Sequence, residues 1–354
     1  MANYASSVLA KGQALATEKF NAPEKRRQMP TVMELALKNQ HISIPDAQAL
    51  RVSPLRPVEV NYTKYIAPGA ATSKAYNHTG GYGDSATLQV TYVQLVETFS
   101  LPRKIAANNF LTYQNMFVDL WGQKWANLRT RQDNAALSYA YTYRNQLDAA
   151  TMDARLATAG MTGWWDETNG ALVVPSAYSS TFIAQAKAAM VASYYMGEYD
   201  IISDIKMATV FENYMNQGTG NYSNTQWQFS DCNFTRTQQQ IDSTYNNGVT
   251  LAMPAGQFAG LNWNEQLNVK GVFQDEGGYV GILTTAQDPY GSGAVADISV
   301  YTQRADTTAD TTGGSPEDIV DQFELTLTVG YVLPPLTTAN DSVVMEIVQA
   351  PVAP

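Results

Sequence analysis

The sequence predicts an α+β fold whose first half is extended and whose second half is closed, and three observations predict it. The chain opens on a basic helical stretch too poor in apolar residues to stand as a domain. Two long alternating strand patterns then flank a glycine-rich segment. A proline-free run with apolar residues at helical spacing follows, before strands and helices begin to mix.

Residues 6–20 are rich in Ala, Leu, Lys and Glu, all good helix formers. Pro23 and Pro30 punctuate the stretch, and a second short helix is expected over 31–39, with Thr31 as N-cap and Glu34 three residues on. Pro45, Pro54 and Pro57 keep 41–57 irregular. Val58, Val60, Tyr62 and Lys64 then fall on one face of a strand and Glu59, Asn61, Thr63 and Tyr65 on the other, and alternation resumes over 86–99. Between them, 68–85 holds no large aliphatic residue and carries Gly80, Gly81 and Gly83. A two-stranded projection is expected over 58–99. A lone hairpin is marginal in water, so this one should rest on a partner surface.

From 108 to about 159 there is no proline and one glycine, Gly122. Phe110, Tyr113, Phe117, Leu120, Trp121, Trp125, Leu128, Ala135, Tyr139, Tyr143 and Leu147 recur mostly every three or four residues, the stripe of a helix. A run of about 40 residues would reach about 60 Å, so the helix is either very long or broken once, and Gly160 and Gly163 stop it. Beyond it the pattern predicts helices over 179–195 and 204–217. Strands are expected over 199–203, 226–229, 248–253, 278–285, 296–304, 324–332 and 341–348, with an exposed loop at 305–315.

The composition suits a protein packed against neighbours. Of the 354 residues 45% are apolar but only 15% charged, against roughly 25% in an average soluble domain. Asn, Gln, Thr, Ser and Tyr fill the difference. The charge is polarised: residues 1–155 carry 17 Lys and Arg against 11 Asp and Glu, a net +6, and residues 156–354 carry 5 against 21, a net −16. Opposite halves can attract between copies of the chain, whereas the acidic half lacks the cations that phosphate contact requires. Cys232 is alone, which excludes an intrachain disulfide and a multi-cysteine metal cluster. Residues 1–20 lack the apolar core of a signal peptide and no stretch approaches the length of a membrane span, so assembly in a cytosol is expected.

Catalytic signatures are absent. No glycine-rich phosphate loop, dinucleotide fingerprint or Gly-x-Ser-x-Gly elbow occurs. His41 and His78 read as surface residues, far apart in irregular segments. The sharpest enzyme reading is a glycosidase or carbohydrate-binding site at Trp164, Trp165, Asp166 and Glu167, with Asp275 and Glu276 as a second acid pair. Adjacent acids more often form a solvated turn, and that is the expectation for both pairs. No cofactor and no metal are expected.

Several stretches carry a family resemblance. Residues 58–66 and 86–99 resemble the two sides of an extended loop with GGYGDS (80–85) near its turn. FSLPRKIAANNFLTYQNMF (99–117) is similar to the entry of a spine helix, and GEYDIISDIKMATVFENYMNQGTGN (197–221) and GVTLAMPAGQFAGLNW (248–263) resemble axial-domain stretches. In this order the parts resemble the major capsid protein of tailed bacteriophages, the Hong Kong 97-type fold, with N-arm, extended β-hairpin loop, long spine helix, peripheral and axial domains. The resemblance implies an N-terminal arm at 1–57, an extended loop at 58–102, spine helix and peripheral domain at 103–163, an axial domain at 164–320 and returning C-terminal strands at 321–354.

It implies a non-enzymatic subunit of an icosahedral head enclosing double-stranded DNA, assembled in the host bacterial cytoplasm and located in the virion. Its partners would be copies of itself as pentamers and hexamers, a portal, and scaffolding or decoration proteins. DNA contact would be weak and non-specific, and there would be no membrane partner. No large scaffolding domain precedes the arm, so a separate scaffolding protein or none is expected. Intersubunit contacts are expected from Lys64, Lys74, Tyr76, Tyr82 and Asp84 on the loop, and from Lys25, Arg26 and Arg27 on the arm. Lys64 and Lys74 read first as exposed lysines gripping carboxylates, although some capsid proteins weld such a lysine to a neighbour's asparagine. The alternatives are an encapsulin-like compartment or another phage structural protein of tail or decoration type.

Overall fold

The structure is a computed structural model that describes residues 2–21, 32–39, 58–64, 85–103, 110–193, 195, 197–207, 232–237, 239–245, 247–264, 271–274, 280–305, 318–336 and 340–350. The front half contains helices α1 (Ala2–Asn21) and α2 (Val32–Lys38), strands β1 (Val58–Thr63) and β2 (Ser85–Pro102), and the helices α3 (Phe110–Thr142) and α4 (Ala149–Leu156). The back half begins with β3 (Trp165–Asp166), β4 (Ala171–Val174), helix α5 (Phe182–Ala192), β5 (Tyr199–Ser203) and β6 (Cys232–Arg236). It continues with β7 (Val249–Pro254), β8 (Ala259–Trp263), β9 (Gly271–Gln274), β10 (Val280–Gln287), β11 (Val295–Ala305), β12 (Asp318–Val332) and β13 (Met345–Gln349).

Two sheets organise the chain. The first runs β1-β2-β12-β11-β10-β9, with β8 also paired to β12, and every pairing is antiparallel. The second runs β3-β4-β13-β7-β5-β6 and is mixed, with β13 parallel to β4 and β5 parallel to β6. Strand β5 is buried at all five positions, as is β13, which explains why both read as apolar runs without alternation.

The long helix breaks once. Helix α3 spans 33 residues, about 50 Å, and α4 begins after a short turn where the Asp148 side chain accepts from Thr151 N at 2.9 Å. Helix α3 lies across the first sheet. Phe99 of β2 stacks on Phe323 of β12 with centroids 4.7 Å apart, and Phe117 of α3 meets Phe323 edge-on at 5.1 Å. Trp121 and Trp125 continue the contact, both buried. Each large ring removed from water contributes about 1.5–3 kcal/mol, so this aromatic seam is the main attachment of helix to sheet.

Over their described residues the first two helices pack on their own body: Leu9 and Ala16 of α1 and Val32, Met33, Leu35, Ala36 and Leu37 of α2 are all buried in the main core. Because α3 carries apolar residues on more than one side, it needs a cover opposite the sheet, and α1 and α2 supply it. One expectation is corrected: the projection is shorter than 58–99. Thr91 to Pro102 of β2 pair with β12, so they belong to the sheet, and only 85–90 pair with β1. The two sheets also draw on both halves of the chain. Strands β9, β10 and β11 share a sheet with β2 and β12, while β13 joins β4 and β7. Strand partners are chosen by facing apolar surfaces across the whole chain, which local periodicity does not encode. Of the expected helix at 204–217 the described residues show one tight turn, Ile205–Met207, and the expected strand at 226–229 lies outside the described residues.

Candidate assembly interface

Strand β1 and the first third of β2 form a two-stranded ribbon. Its register pairs Val60 with Leu88 and Thr63 with Ser85. Six antiparallel pairs give it a length of about 20 Å beyond the point where the pairing with β12 ends, Tyr331 opposite Thr91. One face is polar and exposed, with Glu59, Asn61 and Thr63 beside Ser85, Thr87 and Gln89. The Thr87 hydroxyl donates to Asn61 Oδ1 at 3.0 Å across this face. The other face is apolar. Val60 and Val90 are buried against Ala259, Leu261 and Val332, with Leu88 and Tyr92 packed at the edge. The root of the ribbon is therefore clamped on β8 and β12. Gly330 makes that approach possible, since a Cβ there would stand 2.4 Å from Val90 Cγ1.

Lys64 sits directly after β1, half-buried, at the described end of the ribbon. Lys74, Tyr76, Tyr82 and Asp84, and Lys25, Arg26 and Arg27 of the arm, lie outside the described residues, as do His41, His78, Asp275 and Glu276.

Sequence reasoning missed the charged groups that hold the ribbon, arm and helix in place. At the other end of β2, Arg103 lays its guanidinium fork on Asp321 of β12, with Nε 2.9 Å from Oδ2 and Nη2 2.8 Å from Oδ1. The Tyr113 hydroxyl donates to the same carboxylate at 2.8 Å and the Thr302 hydroxyl at 2.6 Å. On the other side of α3, Asp133 accepts from Val32 N and, at 3.3 Å, from Met33 N, the first amides of α2. Burial pushes the Asp133 carboxyl above its usual range, and those two amides, Thr237 and Arg129 oppose the shift. The expected cap from Thr31 lies outside the described residues; Glu34 instead pairs with the buried Arg129, which also lies over the Tyr290 ring at 5.2 Å. Gln132 Nε2 donates to Val93 O at 3.0 Å and Leu327 O at 3.1 Å, tying α3 to β2 and β12. No sequence spacing signals any of these pairs, whose members lie up to 218 residues apart.

On the open face of the first sheet, Thr98, Ser100, Ser299, Tyr301, Gln322 and Glu324, with Phe99 and Phe323 between them, line a shallow groove of about 440 Å³. It is polar with one charge, the surface type that the composition anticipates.

The acid pair beside the tryptophans is built into a turn. Asp166 accepts from Asn169 Nδ2 at 2.7 Å, from Tyr245 Oη at 3.0 Å and from Thr168 N at 3.0 Å, and Glu167 accepts from Ala149 N at 3.3 Å. Trp165 is buried and donates its indole N–H to Leu147 O at 3.0 Å. Among the described residues no group of His, Cys, Asp and Glu is arranged to hold a metal, and no helix is long and apolar enough to cross a membrane.

No family model matches the chain, and no curated protein matches it. Solved structures do. A chain of Mycobacterium phage Cain aligns over 92% of this chain and 92% of its own at 11% identity and a TM-score of 0.45. A chain titled cyanophage A-1(L) capsid asymmetric unit aligns over 92% of this chain and 97% of its own at 12% identity and a TM-score of 0.45. A chain of Gordonia phage Cozz aligns over 86% of each at 11% identity and a TM-score of 0.43.

Proposed function

We propose that the chain is a shell subunit, the major capsid protein of a tailed bacteriophage, that assembles with copies of itself into an icosahedral head around double-stranded DNA. Its role in this reading is structural and not enzymatic. The observation that carries it is the ribbon: β2 runs on past its pairing with β12 and, among the described residues, continues with β1 as its one partner strand. An exposed two-stranded ladder offers an open strand edge, which soluble monomers blunt or cover. Laid over a neighbour, it buries surface that the subunit leaves open, and many such overlaps around a closed shell add up without any one tight contact.

In this reading Lys64, Lys74, Tyr76, Tyr82 and Asp84 contribute to the overlap, and Lys25, Arg26 and Arg27 meet acidic surface on the next copy. The packing of Val60 and Val90 on β8 and β12 then has a clear purpose, because a lever that bears load between subunits must be fixed at its base. Pentamers, hexamers, a portal and scaffolding or decoration proteins are the partners this role requires, with DNA touched weakly on the inside.

Electron microscopy of the purified full chain tests the reading. Closed shells or capsomers of five and six copies are the expected result. Tubes would point to a tail-type protein, and a monodisperse monomer at every concentration and salt would overturn the proposal.

A further inference from the structure

Where the long helix ends, the chain buries more negative charge than it balances. Glu346 lies in β13, the strand between β4 and β7, and its side chain is fully buried. Its strand neighbours, Ala171 and Leu251, bring no charge. Three other segments face it with ionisable groups. The end of α3 and the turn after it bring Tyr141 and Arg144, the loop 239–245 brings Asp242 and Tyr245, and the β3 turn brings Asp166. Arg144 is the one cation of the group. Its Nε lies 2.7 Å from Glu346 Oε2, but Nη1 donates to Tyr141 O at 2.9 Å and Nη2 to Asn169 O at 2.7 Å. Neither Glu346 oxygen has an aligned hydrogen-bond donor among the described residues.

We propose that this cluster is a proton-operated clasp, in which a proton held on Glu346 locks the end of the long helix onto the second sheet and its loss loosens the junction.

The three carboxyl groups divide into two kinds. Burial opposes ionisation of Asp166, but Asn169, Tyr245 and the Thr168 amide outweigh it and hold the group below its ordinary range. Asp242 behaves alike, with Thr244, Tyr141 and Arg144 outweighing burial. Among the described residues Glu346 has only Arg144 beside it, with Nε 2.7 Å from Oε2. Burial pushes it up to about 8, Arg144 offsets part of the rise, and Asp242 and Asp166 add to it. Like charges sharing one buried site cannot all ionise, so one acid keeps its proton. The phenols of Tyr141 and Tyr245 are raised by burial and by their bonds to Asp242 and Asp166, and stay protonated as donors throughout.

The sign follows from linkage. Glu346 titrates near 4.5 when exposed and near 8 in place, so between those values the closed junction holds a proton that the opened one lacks. The stabilisation is fully present below the lower value and is lost as pH rises through the upper one. The constant for opening the junction rises by up to about tenfold for each pH unit in that window and levels off above it. Asp166 and Asp242 titrate below the window and do not contribute to the slope.

Hydrogen–deuterium exchange of the full chain from pH 5.5 to 9, corrected for the intrinsic rate, tests the clasp at residues 141–148 and 345–349. Wild type should lose protection there with rising pH more steeply than in the aromatic seam of the first sheet, and Glu346→Gln, which cannot ionise, should show a flat profile. Equal slopes in wild type and variant overturn the proposal. If Glu346→Gln does not fold, the wild-type profile decides alone: uniform loss across the molecule, or none at the junction, overturns it. The outcome does not depend on whether the chain forms shells.

Discussion

At the start of the long helix, Arg103, Tyr113 and Thr302 converge on the carboxylate of Asp321, which is 1% exposed. Strand β2, helix α3 and strands β11 and β12 all meet there, so one side chain ties the far end of β2 to the start of the long helix. Truncating Asp321→Ala removes the buried carboxylate on which the guanidinium and both hydroxyls converge. A loss of about 3–5 kcal/mol in chemical denaturation is expected. Arg103→Lys keeps the charge but gives up the two-pronged geometry and should cost less. A loss under about 1 kcal/mol for Asp321→Ala would show the cluster to be solvent-screened and not a latch. Sequence inspection finds neither partner, since Arg103 and Asp321 are ordinary charged residues 218 positions apart.

Among elements, the packing of α1 on α3 has an unusual basis. A glycine within a helix costs about 1 kcal/mol relative to alanine, yet Gly12 sits in the middle of α1. A Cβ there would stand 2.3 Å from the Phe117 ring. That ring cannot retreat, because Phe99, Trp121 and Phe323 surround it at 5.1–5.8 Å between centroids. Gly12→Ala should therefore lower the melting temperature and speed proteolysis within residues 2–21, although propensity alone predicts a gain. A raised melting temperature would mean that α1 is held elsewhere. Helix α1 itself was legible from its composition, and so was α3 from its stripe. Their contact was not, because helical periodicity says which face is apolar and not what covers it.

For the whole molecule, the two-sheet body is anchored at three places: the aromatic seam under α3, the Arg103–Asp321 fork, and the clasp at Glu346 with the neighbouring Arg155–Asp341 pair at 2.9 Å. The ribbon stands outside all three and contributes little to holding the body together. Deleting residues 75–84 should leave the melting temperature of the subunit within a few degrees of wild type while abolishing closed particles in electron micrographs. Normal particles from the deletion variant would show that the loop is not an intersubunit overlap, and a collapsed melting temperature would show that it packs on its own body.

The sequence by itself determined what depends on near neighbours along the chain. The fifth strand, 199–203, matches its expected bounds, the long helix takes the broken one of the two forms its length allowed, and the polar face of the ribbon is the one its alternation marked. Periodicities of two and three and a half residues are local, and local signals survive without knowledge of the fold. Tertiary structure decided which strands share a sheet, that α1 and α2 cover α3, and that Glu346 keeps company with two other acids. Those facts depend on distances between residues far apart in the chain. Burial and charge become expensive only when the folded body brings such groups together.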